Sequence, residues 1–594
     1  MDSLFWVQSL SPNRSAKRNR QAWVRRILMV IVMAFVLAVV LAGCGGGSSS
    51  SSAAAGSTPV GPDVLTTDAP TSVLDATRLG DQASFGNTEA LQAEIASQGP
   101  TKWVAQQMKQ DVSRYTRGGA GGERIHTYTG NDFCVDLAIG NECWRDFYSS
   151  EPLNSDFYRN AVNNPDQLRQ RVALALSQIL VTSEVEVNGT YGLREYQNIF
   201  LANAFGNYRT ILEKVTLSPL MGDYLNNANN DKNSPNENYA RELLQLFSVG
   251  TCLLQPDGTL QGGKCTPTYD NVRVRDYAYA LTGWTYPAGG DSQYKPCWPT
   301  AANCRFYRGD MVPRANTHDN KARTLLGGYS LQASRTAPQA LAVVLDSLMN
   351  HPNTPPFIGR QIIQHLTTSN PSPAYVGRVA NAFATGRFGP FGGGVRGDMA
   401  ATVAAVLLDA EARTESPAAN FARLREPIQV FTGTLRAMNG RTDGQALSWK
   451  GDDLRQQVFR APSVFNFYPP TYPVAGTALV GPQFGILNAN TGMARVNFVN
   501  YLVFWEGSNP DTNYPDPIGT KVNLVPFEAD ATDPAKLVDR FVKLALGGRI
   551  TAASRQAIIS AVSALPATGT NAKRDRVRTA AYLVYASPQY HVTR

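Results

Sequence analysis

Several familiar marks of catalysis and metal binding are missing from this sequence. It has no nucleophile elbow, no phosphate-binding loop, no dinucleotide fingerprint and no helix with a paired-histidine zinc motif. Only five of its 594 residues are histidine. These absences exclude the most recognisable hydrolase, kinase and dehydrogenase signatures, and they make each histidine worth separate attention.

Charge is also sparse, since only 17% of the residues are Asp, Glu, Lys or Arg. The formal net charge is +8, but residues 1–43 carry six basic residues against one acidic residue and so supply five of those charges. The rest of the chain is close to neutral. We therefore expect no nucleic-acid partner, because such proteins concentrate basic residues on the folded domain.

One long apolar run lies near the N-terminus and predicts export. Ile27–Ala42 is an unbroken stretch of sixteen apolar residues that follows a basic segment. A membrane-spanning helix needs about 20 such residues, whereas a secretory signal needs fewer and ends in small residues. We predict a signal peptide over residues 1–43, with an uncleaved membrane anchor as the alternative.

The end of that run predicts a lipid anchor. Leu41-Ala42-Gly43-Cys44 resembles the lipobox of bacterial lipoproteins, in which the cysteine is lipidated and becomes the mature N-terminus. Residues 44–80 are rich in Ser, Gly and Ala and are predicted to be a flexible linker. Gly45 rather than Asp after the cysteine favours the outer membrane over the inner one.

Apart from Cys44, six cysteines remain, and they fall into three pairs that are local in sequence. Each pair would close a small loop rich in Gly, Pro or Asn. Zinc binding is the alternative, but no pair has the two-residue spacing of a zinc knuckle and none lies near a pair of histidines. We therefore predict an oxidised, extracytoplasmic protein with the disulfides Cys134–Cys143, Cys252–Cys265 and Cys297–Cys304.

From Asp81 onwards the sequence is a succession of helical patterns with few alternating strands. We predict a mainly α fold, with residues 81–594 forming one large multi-helical globular body. Long loops rich in Gly, Pro, Asn and aromatic residues separate the helices, and loops of this length are usually functional or disordered. The clearest predicted loops are Asn226–Asn233, Leu253–Asn271, Thr285–Lys321, Asn439–Leu454 and Tyr468–Gln483.

The stretch Ser234–Gly250 carries start and stop signals for a single helix. Ser234 can cap the helix, Pro235 suits its first position and Glu237 completes a capping box. Gly250 is a natural left-handed terminator. We expect one buried apolar face, formed by Tyr239, Leu243, Leu246 and Phe247.

The opposite face of this helix is a candidate site. Arg241 and Glu242 lie there, and Glu242 is free of the capping role assigned to Glu237. We predict Glu242 as a functional acid and Arg241 as a ligand-binding residue. A buried ion pair is an equally good interpretation of Glu242.

The segment around His318 is the second candidate site. His318, Asp319 and Lys321 lie together in one polar loop, where they could bind a divalent metal or transfer protons. We predict His318 and Asp319 as catalytic and Lys321 as ligand-binding. The competing interpretation is a solvated loop with local hydrogen bonds.

Two further segments carry candidate binding residues. Arg360 and His365 lie on one predicted helix and could bind an anion, while His351 is expected to cap or pack at its start. Trp284 is predicted to be exposed to an aromatic-rich loop, where it could stack on a ligand. Closure of a small core by these aromatic residues is equally plausible.

Taken together, several ordered blocks of residues resemble the family of bacterial proteins called domain of unknown function 1800, from about residue 85 to the C-terminus. The resemblance implies a large, mostly helical, exported protein, and it hints at an exported alkaline-phosphatase-like partner, often encoded beside such proteins. It implies no established reaction. The blocks are Asn236–Phe247, Ala280–Trp284, His318–Asp319 with Lys321, Leu326–Gly327, His351–Pro352, Leu424–Pro427, Ala461–Pro469 and Ala586–Tyr590.

Two functional hypotheses follow. The first is an exported lipoprotein that acts as a binding or assembly factor at the cell envelope. The second is a hydrolase of an envelope or extracellular polymer, with Glu242 and His318 as acid and base, and a divalent metal near His318 as a conceivable cofactor. The enzyme hypothesis requires Glu242, Arg241, His318 and Asp319 to line one pocket.

The lipid anchor is testable by replacing Cys44 with Ser. We expect Cys44→Ser to release the full-length protein from the membrane into the soluble fraction, because its remaining apolar run is too short to span. Cell fractionation followed by immunoblotting measures this. Continued behaviour as an integral membrane protein would favour the uncleaved anchor.

Overall fold

The computed structural model describes residues 69–118, 121–128, 130–287, 305–514 and 516–594, together with the backbone pairing of 296–297 with 302–303. The predicted signal peptide, Cys44 and the pair Cys297–Cys304 lie outside the side chains that the structure describes. Residues Val64–Arg594 form one compact unit.

Helices make up most of the described chain, which confirms the mainly α prediction. In chain order they are α1 (Val73–Ala83), α2 (Glu89–Gln98), α3 (Pro100–Met108), α4 (Arg124–Thr127), α5 (Phe133–Asp136), α6 (Cys143–Tyr148), α7 (Glu151–Asn163), α8 (Gln167–Ile179), α9 (Thr190–Asn203), α10 (Tyr208–Leu217), α11 (Pro219–Tyr224), α12 (Asn238–Gln245), α13 (Asn271–Ala280), α14 (Ala337–Met349), α15 (Thr354–Leu366), α16 (Pro373–Thr385), α17 (Met399–Leu408), α18 (Ala410–Arg413), α19 (Pro427–Ala437), α20 (Gln445–Asp453), α21 (Ala489–Val503), α22 (Pro534–Leu546), α23 (Ala552–Ser563), α24 (Ala572–Tyr585) and α25 (Pro588–His591).

Local signals explain where many of these helices begin. Proline opens α16, where the Ser372 hydroxyl also accepts a hydrogen bond from the backbone N–H of Tyr375. Proline opens α22 as well, where the Asp533 carboxylate accepts hydrogen bonds from the backbone N–H groups of Ala535 and Lys536. Proline suits the first turn because its missing N–H has no helical partner there, and the cap satisfies a donor that would otherwise be orphaned.

The described strands are short antiparallel pairs that tie loops together. Four two-residue ladders occur, and the last of them pairs a segment just before α19 with the C-terminus. The ladders are β1 (Trp284–Thr285) with β4 (Val312–Pro313), β2 (Pro296–Cys297) with β3 (Ala302–Asn303), β5 (Arg323–Thr324) with β6 (Ser330–Leu331), and β7 (Arg423–Leu424) with β8 (Val592–Thr593).

Two hydrophobic clusters hold the body together. The larger one draws on helices from α1 to α21, and the smaller one is built from α22, α23, α24 and the end of α21. Helix α1 also packs against α22, which joins the N-terminal part of the body to the C-terminal cluster. Burial of these apolar side chains is the main favourable contribution to folding.

Some predicted boundaries were wrong. Helix α1 begins inside the predicted linker 44–80 and ends at Ala83, and α20 lies inside the predicted loop Asn439–Leu454. Helices α7 and α21 were not predicted. Both are rich in Asn, Ser or β-branched residues, which have low helix propensity, and burial of their apolar faces overrides that weak preference.

Two of the three predicted disulfides lie among the described residues, and both are confirmed. Cys134 bonds to Cys143 and Cys252 bonds to Cys265. The bonded cysteines are 9 and 13 residues apart in sequence. Each bond therefore closes a short loop and limits the freedom of the unfolded chain. Over the described ranges, no helix is both long and apolar enough to cross a membrane.

Two glycines provide a matched stability test. Gly86 has φ of 135°, and a Cβ there would lie 2.3 Å from the Cα of Gly433. We expect Gly86→Ala to lower the free energy of unfolding by about 2–3 kcal/mol. Gly492, inside α21, has open space at its Cβ position. We expect Gly492→Ala to stabilise by about 0.5–1 kcal/mol. Urea denaturation measures both, and a loss of stability in both variants would contradict the steric explanation.

Candidate functional site

Helix α12 begins later than its sequence signals predicted. Its first residue is Asn238, Glu237 makes no side-chain cap, and Ser234 instead pairs through its backbone with Asp231. The capping-box prediction for Glu237 was therefore wrong. An Asx turn takes its place, because the Asn236 side-chain oxygen accepts a hydrogen bond of 2.9 Å from the backbone N–H of Asn238.

Glu237 is instead the partner of two arginines. Its carboxylate lies 3.0 Å from the Arg241 guanidinium and 3.4 Å from that of Arg275. Arg241, the predicted ligand-binding residue, thus forms an ion pair within its own helix. The C-terminal end of the helix prediction was also wrong, because the helix ends at Gln245 and Leu246 is only partly buried. Gly250 is left-handed with φ of 73° as expected, and Tyr239, Leu243 and Phe247 are buried.

Glu242 is half-buried beside two tyrosines. Burial raises the pKa of its carboxyl group, against the opposing effect of Arg241. Its Oε2 atom is buried without a hydrogen-bond partner. Burial, together with the nearby Glu242 charge, raises the pKa of Tyr224 and of Tyr269 to about 12. This environment suits a carboxyl group that holds its proton more tightly than usual.

His318 and Asp319 pack directly against the end of the α13 segment. His318 Nδ1 lies 2.8 Å from the Thr282 carbonyl oxygen, and the Asp319 backbone N–H donates to Thr282 Oγ1 at 2.9 Å. Gly283 permits this approach, since a Cβ there would lie 2.5 Å from His318 Cβ. Both residues of the His-Asp pair are only 4% exposed, so this is not the solvated loop considered as the alternative.

The charges around Asp319 form an ion-pair cluster. Its carboxylate lies 2.8 Å from Arg323, whose guanidinium also stacks over the Tyr279 ring. Lys321 is exposed to solvent. Within the described residues, no group of three or more His, Cys, Asp and Glu side chains is arranged to hold a metal ion. His318 Nε2 is buried without a partner.

Trp284 was predicted to be exposed, but it is buried. Only 3% of it is exposed, and its carbonyl accepts a hydrogen bond of 2.8 Å from the backbone N–H of Asn229. The neighbouring Tyr286 and Tyr307 both donate to the Asp223 carboxylate. These aromatic residues close a small core under the loop, which was the competing interpretation. Two other aromatic residues of the predicted loop, Tyr294 and Trp298, lie outside the described residues.

The two predicted halves of an acid–base site are not joined by any described contact. No hydrogen bond or ion pair in the described ranges links Glu242 to His318 or Asp319. His318 faces the end of the α13 segment, whereas Glu242 faces Tyr224 and Tyr269.

A different site appears where α12 ends. A cleft of about 220 Å³, here called the polar cleft, brings together the ends of α8 and α12, one face of α15 and two later loops. None of its lining residues is acidic, Lys or Arg, and His365 is its one histidine. The polar cleft is lined by Gln178, Ile179, Gln245, Leu246, Thr251, Phe357, Gln361, Gln364, His365, Val464, Phe465, Asn466, Tyr468, Pro469, Pro470, Thr471, Pro482 and Gln483.

Helix α15 supplies one wall of the polar cleft through residues three and four apart. Phe357, Gln361, Gln364 and His365 line the cleft from this wall. Arg360 lies on the same helical face, three residues after Phe357 and four before Gln364. It is half-buried, which lowers its pKa, and it forms no hydrogen bond or ion pair with the described residues.

The opposite wall comes from the block Ala461–Pro469. Asn466 adopts a left-handed conformation with φ of 62°, which Asn tolerates better than most residues. Phe465 next to it is 45% exposed, while Tyr468 is 5% exposed. This block belongs to the family resemblance, but its sequence did not predict that it forms a wall of a site. Its three aromatic residues around a single Asn were the only available signal.

Beneath the polar cleft lies a buried carboxylate, Glu426. It accepts hydrogen bonds from Gln178 at 2.7 Å and Gln456 at 2.8 Å, and it pairs with Arg423 at 3.2 Å. Burial by itself would raise the pKa of Glu426, but the guanidinium groups of Arg423 and Arg171 lower it to about 2. Glu426 is therefore a fixed negative charge at neutral pH.

His365 is neutral at neutral pH. Burial lowers its pKa to about 4, and Arg423 and Arg171 add to that effect against the attraction of Glu426. Its Nδ1 atom is buried and has no hydrogen-bond partner.

The fold and the cleft together define a large α-helical protein with an amide-lined cleft above a buried charge cluster. The chain belongs to the family described as protein of unknown function (DUF1800), whose model matches residues 78–592. No curated protein sequence and no solved structure matches the chain.

The depressed pKa of His365 predicts acid sensitivity. Below pH 6.5 the unfolded chain protonates this histidine while the folded protein does not until about pH 4, so the free energy of unfolding falls as the pH falls. Each such histidine adds a slope of up to about 1.4 kcal/mol per pH unit. We expect His365→Gln to remove its share of the slope between pH 6.5 and 5, measured by urea denaturation. An unchanged slope would show that His365 is charged in the folded protein.

Proposed function

We propose that this protein is an exported, lipid-anchored lipoprotein that binds a segment of an extracytoplasmic polymer in the polar cleft and acts as a binding or assembly factor at the cell envelope. The N-terminal pattern and Cys44 support export and anchoring. The two disulfides fit an oxidising compartment. We place the lipid anchor in the outer membrane, because Gly45 and not Asp follows Cys44.

The observation that carries this proposal is a set of unpartnered polar atoms in the cleft wall. Gln361 Nε2 and His365 Nδ1 are buried and form no hydrogen bond, and the Tyr468 phenol and the Gln483 amide are buried beside each other without a hydrogen bond of good geometry. A buried polar group without a partner costs about 1–3 kcal/mol. A ligand that offers both donors and acceptors would remove that cost, and the exposed Phe465 ring adds an apolar surface for it.

Binding fits the polar cleft better than catalysis does. Among the described residues that line it there is no carboxylate, and Glu426, which binds the lining residue Gln178, is fully buried and held ionised by arginine. General acid catalysis needs a group that can release a proton near the operating pH. His365 makes no hydrogen bond to a hydroxyl group that it could activate.

The partner we propose is an exported alkaline-phosphatase-like protein, as the family resemblance suggests. Such a partner would supply the chemistry while this chain holds the polymer. Co-purification from the membrane fraction tests the pairing.

Loss of one amide should weaken binding. We expect Gln361→Leu in the full-length protein to reduce affinity for soluble fragments of the cell-envelope polysaccharide about tenfold, because one buried hydrogen bond is worth about 1.4 kcal/mol there. Isothermal titration calorimetry measures this. Gln556→Leu, on the exposed face of α23, is the matched control and should keep full affinity. Equal losses in both variants would reject the polar cleft as the site.

A hydrolase is the second candidate function, and the raised pKa of Glu242 favours it. Glu242 lies three residues before Gln245 and four before Leu246, so it shares their helical face one turn from the polar cleft. A protonated carboxyl group could donate its proton to a leaving oxygen. We expect Glu242→Gln to leave polymer affinity unchanged. Detectable polymer cleavage by the wild-type protein that this variant abolishes would replace the binding hypothesis with the enzymatic one.

A further inference from the structure

Positive charge is in excess beneath the polar cleft. Arg171, Arg423 and Arg495 are 1%, 1% and 3% exposed, and the carboxylate that faces all three is Glu426. The nearby Arg425 is paired with Asp81 through hydrogen bonds of 3.0 and 2.6 Å and so adds no excess. Three guanidinium groups against one carboxylate leave two uncompensated charges.

Two of these arginines have no carboxylate partner among the described residues. Arg171 donates to the His365 carbonyl at 3.1 Å, and Arg495 donates to the Arg425 carbonyl at 2.8 Å. The Nε atoms of both remain without a partner. Burial lowers the pKa of each to about 10, which still leaves both charged at neutral pH. Unpaired buried charge is unfavourable, so an anion nearby would be stabilised.

Tyr468 connects this charge to the polar cleft. Its side chain lines the cleft, and its phenol interacts electrostatically with Arg171, Arg423 and Arg495. The phenol also lies beside Glu426 and Gln483, yet its oxygen forms no hydrogen bond of good geometry. His365 makes a second connection, because it lines the cleft and its carbonyl accepts a hydrogen bond from Arg171.

We propose that the floor of the polar cleft is an anion subsite that takes the carboxylate of an acidic oligosaccharide. The carboxylate would accept hydrogen bonds from Tyr468 Oη and Gln361 Nε2, and the field of Arg171, Arg423 and Arg495 would favour its charge. This inference rests on the proposed function of the cleft and names the class of ligand.

The lining favours a sugar acid over an acidic peptide. Extended peptides usually add to an exposed sheet edge. The described lining contains no strand, and six of its residues carry side-chain amides, beside apolar residues that include three prolines and the exposed Phe465 ring. Amides donate and accept together, which matches the paired hydroxyl groups of a sugar.

The test compares one oligosaccharide in charged and neutral forms. Full-length protein in detergent is titrated with oligogalacturonate and with its methyl ester, using isothermal titration calorimetry. We expect the acid to bind at least tenfold more tightly than the ester. Equal affinity of acid and ester would overturn the anion subsite while leaving the cleft as a polymer site.

Two variants locate the effect. Tyr468→Phe removes only the phenol oxygen and should weaken binding of the acid about tenfold without changing that of the ester. Tyr158→Phe is the matched control, since Tyr158 is equally buried, its hydroxyl also lacks a partner, and it lies outside the cleft lining. If both variants bind the acid as tightly as the wild type, the carboxylate does not bind at Tyr468 and the proposal fails.

Two further ligands test whether the bound anion belongs to a sugar acid, an acidic peptide or a small oxyanion. An acidic hexapeptide that binds more tightly than oligogalacturonate would overturn the sugar assignment. A second outcome is that inorganic phosphate binds, that Tyr468→Phe abolishes this binding, and that neither oligosaccharide binds. That outcome would reject both polymer capture and the sugar assignment, and the cleft would be a site for a small oxyanion.

Discussion

Buried arginine side chains hold distant parts of this chain together. Arg425 pairs with Asp81 on α1 and donates to the Tyr590 carbonyl at 2.6 Å, while Arg436 binds the carbonyls of Gly86 and Val162 at 2.8 Å each. A buried guanidinium group is tolerated only where its donors find acceptors. The N-terminal helix, α7 and the C-terminus are therefore held against α19.

The same constraint shapes the polar cleft. Glu426 at the start of α19 binds Gln178 from α8, Gln456 from a later loop and the nearby Arg423, so the cleft floor is built from three separate segments. Rearrangement of this floor would cost free energy, because several buried hydrogen bonds would have to break together. Unpartnered groups such as Gln361 Nε2 and Tyr468 Oη remain in the walls, and a preorganised wall of this kind lowers the entropy lost on binding.

The fold was more predictable from the sequence than the site. Helix α10 shows the local signals that make helices predictable, because Asn207 caps its start and Tyr208, Ile211, Leu212 and Val215 form one buried apolar stripe. The predicted sites were chosen from residues that are close in sequence, such as His318 and Asp319. The polar cleft instead joins Gln178, Gln361 and Tyr468, which no local pattern relates.

Sequence alone determined the helical class and the two described disulfides, because periodicity and short cysteine spacing act over a few residues. Only the tertiary structure decided that Trp284 is buried, that Glu237 pairs with two arginines and that an amide-lined cleft lies above Glu426. These outcomes depend on which distant segments pack together, since burial and charge pairing are properties of the assembled core.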